Sequence, residues 1–175
     1  MVYSPREDSL LLEAAVKKFA SGRFLDLGCG SGIQGIAAAK KGCSVTCADI
    51  DPEAVSEAKK AFSKRKLKAD FVVGDLFENV EGAFDCIAFN PPYLPGCKGH
   101  VDLDGGVDGL EVTRRFLEDV EKHLIEGGII LLVATSLCGQ DAKLKELLAG
   151  KGFEASVAGE QRFSFERLSV LKAVK

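Results

Sequence analysis

The chain is short of the groups that build metal centres and proton relays. It has two histidines in 175 residues, and its six cysteines, Cys29, Cys43, Cys47, Cys86, Cys97 and Cys138, include no Cys-x-x-Cys pair. Both facts argue against a zinc site. Cys43, Cys47 and Cys86 fall in apolar, strand-like stretches, where free cysteine behaves as a small hydrophobe. Positive charge is not in excess either: 23 Lys and Arg against 26 Asp and Glu leave a net charge of −3 and a pI near 5.5. That balance lacks the general electrostatic footprint of a nucleic-acid binder. The largest basic cluster, Lys59, Lys60, Lys64, Arg65, Lys66 and Lys68, reads as a solvated helix face. No apolar run approaches the ~18 residues of a membrane span, and the opening Met1 to Asp8 lacks the apolar core of a secretory signal. The expected location is the reducing cytoplasm. No internal repeat or low-complexity linker interrupts the chain, so residues 1–175, 46% apolar, are expected to form one domain.

What is present is an alternation of strand-like and helix-like segments. Ser4 and Glu7 have capping-box spacing with Pro5 at the first helical position, and Leu12, Ala15, Val16 and Phe19 form one apolar stripe; together they predict a helix over about 5–20. Strands are predicted at 23–27, 44–49, 69–73 and 84–89, with a small-residue helix at 33–41 and a helix from Pro52 to about Arg65 capped by Asp51. Asp108 and Glu111 repeat the capping-box spacing and open a helix to about Leu124, which Gly127-Gly128 breaks. The continuous apolar run 129–134 predicts a central strand buried on both faces. A helix near 139–149 and strands near 153–157 and 165–173 complete the pattern. Repeated β-then-α order makes this an α/β chain, a mostly parallel seven-stranded sheet with helices on both faces and right-handed crossovers.

In such a sheet, ligands bind beyond the carboxyl ends of the strands. Asp26-Leu27-Gly28-Cys29-Gly30-Ser31-Gly32 leaves the first strand there, and its glycines allow a tight turn and close backbone approach to a ligand. Gly30 to Gly35 satisfies GxGxxG, yet it starts two residues late for a dinucleotide loop. A carboxylate at Asp26 would repel a pyrophosphate and favour an ammonium or sulfonium, so a cationic cofactor is expected. Asp49 closes the second strand at the spacing of a ribose-binding carboxylate. Asp75, in Gly74-Asp75-Leu76-Phe77, is placed to accept an adenine amino group or to close a simple Asx-turn. Asn90-Pro91-Pro92-Tyr93 follows the fourth strand, and its prolines fix φ and donate no hydrogen bond. The carbonyls of Asn90 and Pro91 can therefore face a ligand beside the Asn90 amide, an arrangement suited to a planar NH2 group. The alternative is a strand terminator with a capping Asn.

Taken together, Asp-x-Gly-x-Gly-x-Gly at 26–32, the acid at 49, Gly-Asp-Leu-Phe at 74–77 and Asn-Pro-Pro-Tyr at 90–93 resemble the successive motifs of S-adenosylmethionine-dependent methyltransferases that methylate planar nitrogens. Tyr3 to Ser9, Gly105-Gly106 with Asp108-Gly109, and Arg167 to Lys172 narrow the resemblance to the HemK-like glutamine methyltransferases of class-one translation release factors. The match is to the archaeal and eukaryotic branch, which lacks the bacterial N-terminal helical domain; the short stretch before Tyr3 fits that expectation. The resemblance implies a Rossmann-like class I fold, S-adenosylmethionine as cofactor, and methyl transfer to a glutamine side-chain amide, most of all in a Gly-Gly-Gln motif. It implies cofactor contacts from Tyr3, Ser9, Asp26, Gly28, Gly30, Asp49, Ile50, Asp75, Leu76 and Asn90, with Asp8 beside Ser9. It implies catalytic roles for Asn90, Pro91 and Tyr93. An amide nitrogen is a poor nucleophile, so two acceptors that orient it would supply most of the catalysis. No general base stands out, and His100 is not nominated.

Asn-Pro-Pro-Tyr by itself leaves other acceptors open: the exocyclic amine of adenine or guanine, or a lysine. A nucleic-acid substrate predicts a basic channel or an added recognition domain, and a non-catalytic cofactor-binding module would have no use for Asn90 and Tyr93. The Gly- and Asp-rich stretch from Leu94 to Val107, with Asp102 and Asp104, is expected to be a mobile lid over the substrate, the alternative being a passive surface loop. It is not a calcium loop, because Gly106 stands at a ligand position and no glutamate closes the spacing. The resemblance also implies a small zinc-binding activator subunit, and the apolar Phe71-Val72-Val73 at an expected sheet edge is the predicted docking strand.

Overall fold

A computed structural model describes residues 6–96 and 104–175, so Tyr3, Ser4, Pro5, Cys97, His100 and Asp102 lie outside the described residues. The elements run α1 (Glu7–Phe19), β1 (Arg23–Leu27), α2 (Ile33–Lys40), β2 (Ser44–Asp49), α3 (Pro52–Lys64), β3 (Asp70–Val73), β4 (Phe84–Phe89), α4 (Glu111–Asp119), β5 (Leu124–Thr135), α5 (Gln140–Gly150), β6 (Glu154–Arg162) and β7 (Arg167–Val174). All seven strands form one sheet in the order β3-β2-β1-β4-β5-β7-β6. The first five are parallel, and β7 runs antiparallel between β5 and β6. The chain winds outward from β1 to β3, then returns to place β4 on the other side of β1. Between β1 and β4, connections therefore leave in opposite directions and open a crevice.

The core lies on both faces of the sheet because successive strand residues point to opposite sides. On one face, Leu12 and Val16 of α1, Ala37 and Ala38 of α2, and Phe62 of α3 cover Phe24, Val45, Cys86, Leu131 and Val133. On the other, Phe116 and Leu117 of α4 with Leu144 and Leu148 of α5 cover Leu25, Ile87, Phe89, Ile130 and Leu132. The small residues of α2 permit close approach: a Cβ at Gly35 would sit 2.8 Å from the Cys47 sulfur and 3.2 Å from Asp26 Oδ2. Among the described residues, no helix is long and apolar enough to cross a membrane.

Several boundaries differ from the sequence reading, among them the end of β6, which runs on to Arg162 rather than stopping near Val157. Helix α1 starts at Glu7 with Arg6 at its N-cap and no side-chain cap, so Glu7 is not the third residue of a capping box. Asp108 does not cap α4 either; Leu110 holds that position, while Asp108 accepts the Leu110 N–H at 3.2 Å and pairs with Arg114. The α4 helix stops at Asp119, a 3-10 turn covers Val120–His123, and β5 begins at Leu124, so Gly127-Gly128 lies inside a strand. A register shift opposite Phe84 and Cys86 absorbs those glycines, and Gly127 takes φ +71, which a β-branched residue would resist. Asp51 caps α3 as expected, accepting the Glu53 N–H at 2.8 Å.

Candidate active site

A cleft of about 430 Å3 opens at the carboxyl ends of β1, β2 and β4. Its walls include Ser9, Asp26, Gly28, Gly30, Asp49, Ile50, Asp75, Leu76, Asn90, Pro91 and Tyr93, every nominated residue except Tyr3, which lies outside the described residues.

The glycine loop is shaped by carboxylates below it. Gly28 and Gly30 take φ of +63 and +48, conformations that side chains rarely adopt. Asp49 Oδ2 accepts the Gly30 N–H at 2.9 Å and its Oδ1 accepts the Asp51 N–H at 3.0 Å. Asp49 thus ties the loop to the end of β2, and each oxygen keeps a lone pair for a ligand hydroxyl. Asp26 accepts the Gly35 N–H at 2.7 Å. Its removal from water pushes its pKa up to about 8, with the Asp49 charge adding and the Gly35 hydrogen bond opposing. A cationic ligand would restore its charge.

Leu76 is a non-glycine residue at φ +52, strain on the order of 1–2 kcal/mol of the kind that gathers at ligand sites. It is held by a tight turn in which Glu78 N–H bonds to the Asp75 carbonyl and Asn79 Nδ2 to the Val73 carbonyl. Asp75 Oδ2 accepts from Arg115 of α4 at 2.5 Å, so one of its oxygens is engaged. Arg115 also lines the cleft and had no signal in the sequence, because the pair joins residues forty apart.

The Asn90 side of the cleft is organised by Asp8, 3% exposed at the start of α1. Its Oδ1 accepts the Ser9 N–H at 2.6 Å and the Ser9 hydroxyl at 3.2 Å. Its Oδ2 accepts Asn90 Nδ2 at 3.1 Å and the Tyr93 hydroxyl at 3.3 Å. An acceptor facing Asn90 dictates that the amide nitrogen points to it, which turns Asn90 Oδ1 the other way. That oxygen is buried and has no hydrogen-bond partner among the described residues. A buried acceptor left unpaired costs on the order of 1–3 kcal/mol, so Asn90, a residue that lines the cleft, is short of a donor. Opposite, Gln140 Nε2 donates to the Tyr93 carbonyl at 3.0 Å and fixes the turn from behind. Sequence reasoning left Gln140 unnoticed and did not foresee that Asp8 orients Asn90.

The strand order, the switch-point crevice, the glycine loop and the acid at the end of β2 define a Rossmann-like class I methyltransferase. The chain belongs to the methyltransferase small domain family, whose model matches residues 7–164. It resembles a protein of Methanocaldococcus jannaschii named "Putative protein N5-glutamine methyltransferase", 37% identical over 98% of this chain and 91% of that protein. A release factor glutamine methyltransferase of Chlamydia trachomatis is 36% identical over 77% of this chain, and the match spans 50% of that longer protein. Ribosomal RNA small subunit methyltransferase C of Mannheimia succiniciproducens is 32% identical over 80% of this chain and 40% of its own length. Among solved structures, the E. cuniculi Mtq2-Trm112 complex, described as responsible for methylation of the eRF1 translation termination factor, shares the fold with a TM-score of 0.81. That match is 22% identical and covers 99% of this chain and 98% of the other.

The enzyme uses S-adenosylmethionine, which supplies a methyl activated on a sulfonium. The residues present fit such a ligand: the cleft volume suits a small-molecule site, and the buried Asp26 carboxyl gains its charge beside a cation. Asp8→Ala would free both the Asn90 amide and the Tyr93 hydroxyl. We expect kcat for methyl transfer to fall about 10- to 100-fold, the worth of one hydrogen bond to a charged group. Initial-rate kinetics check this, and an unchanged kcat would remove Asp8 from the arrangement.

Proposed function

We propose that this chain methylates the side-chain amide nitrogen of a protein glutamine, and that the glutamine belongs to the Gly-Gly-Gln motif of a class-one release factor. The observation that carries the proposal is the unpartnered, buried Asn90 Oδ1 of a residue that lines the cleft, its amide nitrogen being held by Asp8. One amide hydrogen of the substrate would bond Asn90 Oδ1 and the other the Pro91 carbonyl, with the Tyr93 ring beside them. Two acceptors hold a planar NH2 by both hydrogens, which sets the nitrogen lone pair toward the methyl. Near-attack positioning of this kind is worth up to about 7–11 kcal/mol. The bound cofactor would supply the methyl on a sulfonium leaving group, the N–C bond forming as the C–S bond breaks with its pair left on sulfur. The methylated nitrogen then carries the positive charge and loses its proton to solvent without a dedicated base. In the same reading, Asp26 and Ser9 hold the methionine end of the cofactor, Gly28, Gly30 and Asp49 the ribose, and Ile50, Asp75 and Leu76 the adenine. We place the work of this domain in the cytoplasm, with the termination factors that its relatives are named for.

A nucleobase amine is the second reading, favoured by the ribosomal RNA relative. The cleft opposes it electrostatically: Asp8, Asp49, Asp51 and Asp75 line it against Arg115, the one cation among its described lining residues, poor terms for phosphates. Lysine methylation would first require the ammonium to lose a proton before its lone pair could attack, a step that an amide does not need. We also propose a small activator subunit adding a strand to the edge of β3, as the two-protein Mtq2-Trm112 structure supports. Phe71 packs edge-on against Phe62 at 5.5 Å and Val72 joins the core, so Val73, 45% exposed, is the outward residue there.

The deciding experiment is transfer of labelled methyl from S-adenosylmethionine to a panel of release factor, histone-like peptide, tRNA and duplex DNA, with and without the activator. Label on the release-factor glutamine is the expected outcome, with Val73→Lys losing the response to the activator. Label on nucleic acid and never on release factor would overturn the reading.

A further inference from the structure

Pro91 and Pro92 donate no hydrogen bond, so the middle of the turn that presents Asn90 has no N–H by which a neighbouring element could hold it. The side chains of Asn90 and Tyr93 are tied to Asp8. The turn's backbone is held separately, through the Tyr93 carbonyl, which accepts from Gln140 Nε2 at 3.0 Å. Gln140 is the first residue of α5 and is 1% exposed. A polar side chain is costly to bury unless its hydrogen bonds are used. The packing of α5 onto the sheet comes from Leu144 and Leu148 and does not call for an amide at the start of the helix.

The backbone around Gln140 is shaped to deliver it. Strand β5 ends at Thr135 beside β4, in the register that sets Leu132 against Phe89, the residue before Asn90. Thr135 Oγ1 accepts the Leu137 N–H at 3.1 Å, Ser136 N–H donates to the Arg167 carbonyl at 2.9 Å, and Arg167 N–H returns a bond to Ser136 Oγ at 2.9 Å. A 3-10 turn over Leu137–Gly139 follows, in which Cys138 and Gly139 are both left-handed, at φ +51 and +69. Cys138 is not a glycine, and strain of that kind gathers where a function requires it. Gly109, at φ +74, closes on the same bond: a Cβ there would be 2.1 Å from Gln140 Nε2 and 2.4 Å from the Tyr93 carbonyl oxygen. A strained residue, a glycine-only contact and a buried amide therefore converge on one hydrogen bond.

We propose that Gln140 is a positioning residue for methyl transfer, acting through the Tyr93 carbonyl to set where the Asn90 side chain and the Pro91 carbonyl stand relative to the methyl being transferred. The inference rests on the reading of Asn90-Pro91-Pro92-Tyr93 as the acceptor site, and extends it to the far side of the turn. The two prolines make the transmission stiff, because their fixed φ leaves few torsions between Tyr93 and Asn90 to absorb a displacement. Near-attack geometry is intolerant of such displacement: about 1 Å can cost about 100-fold in rate.

The test compares wild type with Gln140→Leu, Gln140→Glu and Asp141→Ala, measuring kcat and KM on an intact class-one release factor and the Kd of S-adenosylhomocysteine by calorimetry. Asp141 pairs with Arg167 and accepts the Ala142 N–H, so its loss loosens the same end of α5 without removing the donor to Tyr93. We expect Gln140→Leu to lower kcat about 10- to 100-fold, with KM and the S-adenosylhomocysteine Kd within about threefold of wild type. Gln140→Glu sets an acceptor against the Tyr93 carbonyl and should lose at least as much, whereas Asp141→Ala should keep kcat within about threefold. An unchanged kcat in Gln140→Leu would overturn the assignment. So would an equal kcat loss in Asp141→Ala, or a parallel loss of S-adenosylhomocysteine binding in Gln140→Leu, since either marks a structural role at the start of α5. If wild type labels tRNA and no protein glutamine, the glutamine reading falls; a kcat loss of the same size on tRNA then upholds Gln140, and an unchanged kcat on tRNA overturns it.

Discussion

Alanine at position 90 is expected to lower kcat for methyl transfer by about 1,000-fold or more, while the Kd for S-adenosylmethionine shifts by less than about fivefold. The substitution deletes the unpartnered Oδ1 and the donor that meets Asp8 Oδ2 at 3.1 Å. Each 1.36 kcal/mol of transition-state stabilisation is about a tenfold change in rate, and both orientation and a hydrogen bond to the reacting nitrogen are lost. Asn90→Asp makes the sharper control. It keeps the shape, loses the N–H, and sets a second carboxyl against Asp8, so transfer should fail while the fold persists. Single-turnover rates and cofactor titration separate the outcomes, and equal loss of binding and turnover would mark Asn90 as a structural residue.

The second large effect concerns Asp26. Burial holds its folded-state pKa near 8 against an ordinary value of 3.8. Between those values the folded protein retains a proton that the unfolded chain has released. The stability contributed by this carboxyl is therefore complete below about pH 4, falls as pH rises through the window, and is gone above about pH 8. The slope approaches 1.4 kcal/mol per pH unit at its steepest. Asp26→Asn keeps an acceptor for the Gly35 N–H and removes the titration, so its melting temperature without cofactor should vary less over that window than wild type. The same substitution should weaken S-adenosylmethionine binding by at least about tenfold, because a neutral amide does not compensate a cation. It should also abolish a proton release on binding near pH 7, read by calorimetry in buffers of different ionisation enthalpy. A variant whose pH profile matches wild type would refute this account of Asp26.

Where local chemistry decides, the sequence was legible to the residue. The strands 23–27, 44–49 and 84–89 stand where they were predicted, because short apolar runs bounded by turn residues have few alternatives. The Asp51 cap followed from an acid before proline. Boundaries failed where a tertiary partner outweighed a local motif. Asp108 spends its carboxyl on Arg114 rather than on capping α4, and the pairing of β4 with β5 carries a strand through two glycines.

The sequence by itself determined that this is a doubly wound α/β chain with a cationic-cofactor cleft and an acceptor turn after its fourth strand, since glycines, prolines and strand-end acids act through their own backbones. Only the tertiary structure decided which way that turn's amide faces. Asp8 and Asn90 are 82 residues apart in the chain, and no local spacing encodes a hydrogen bond between the first helix and the end of β4. It is that long-range bond which turns the Asn90 amide nitrogen to Asp8 and leaves Oδ1 buried and without a partner among the described residues.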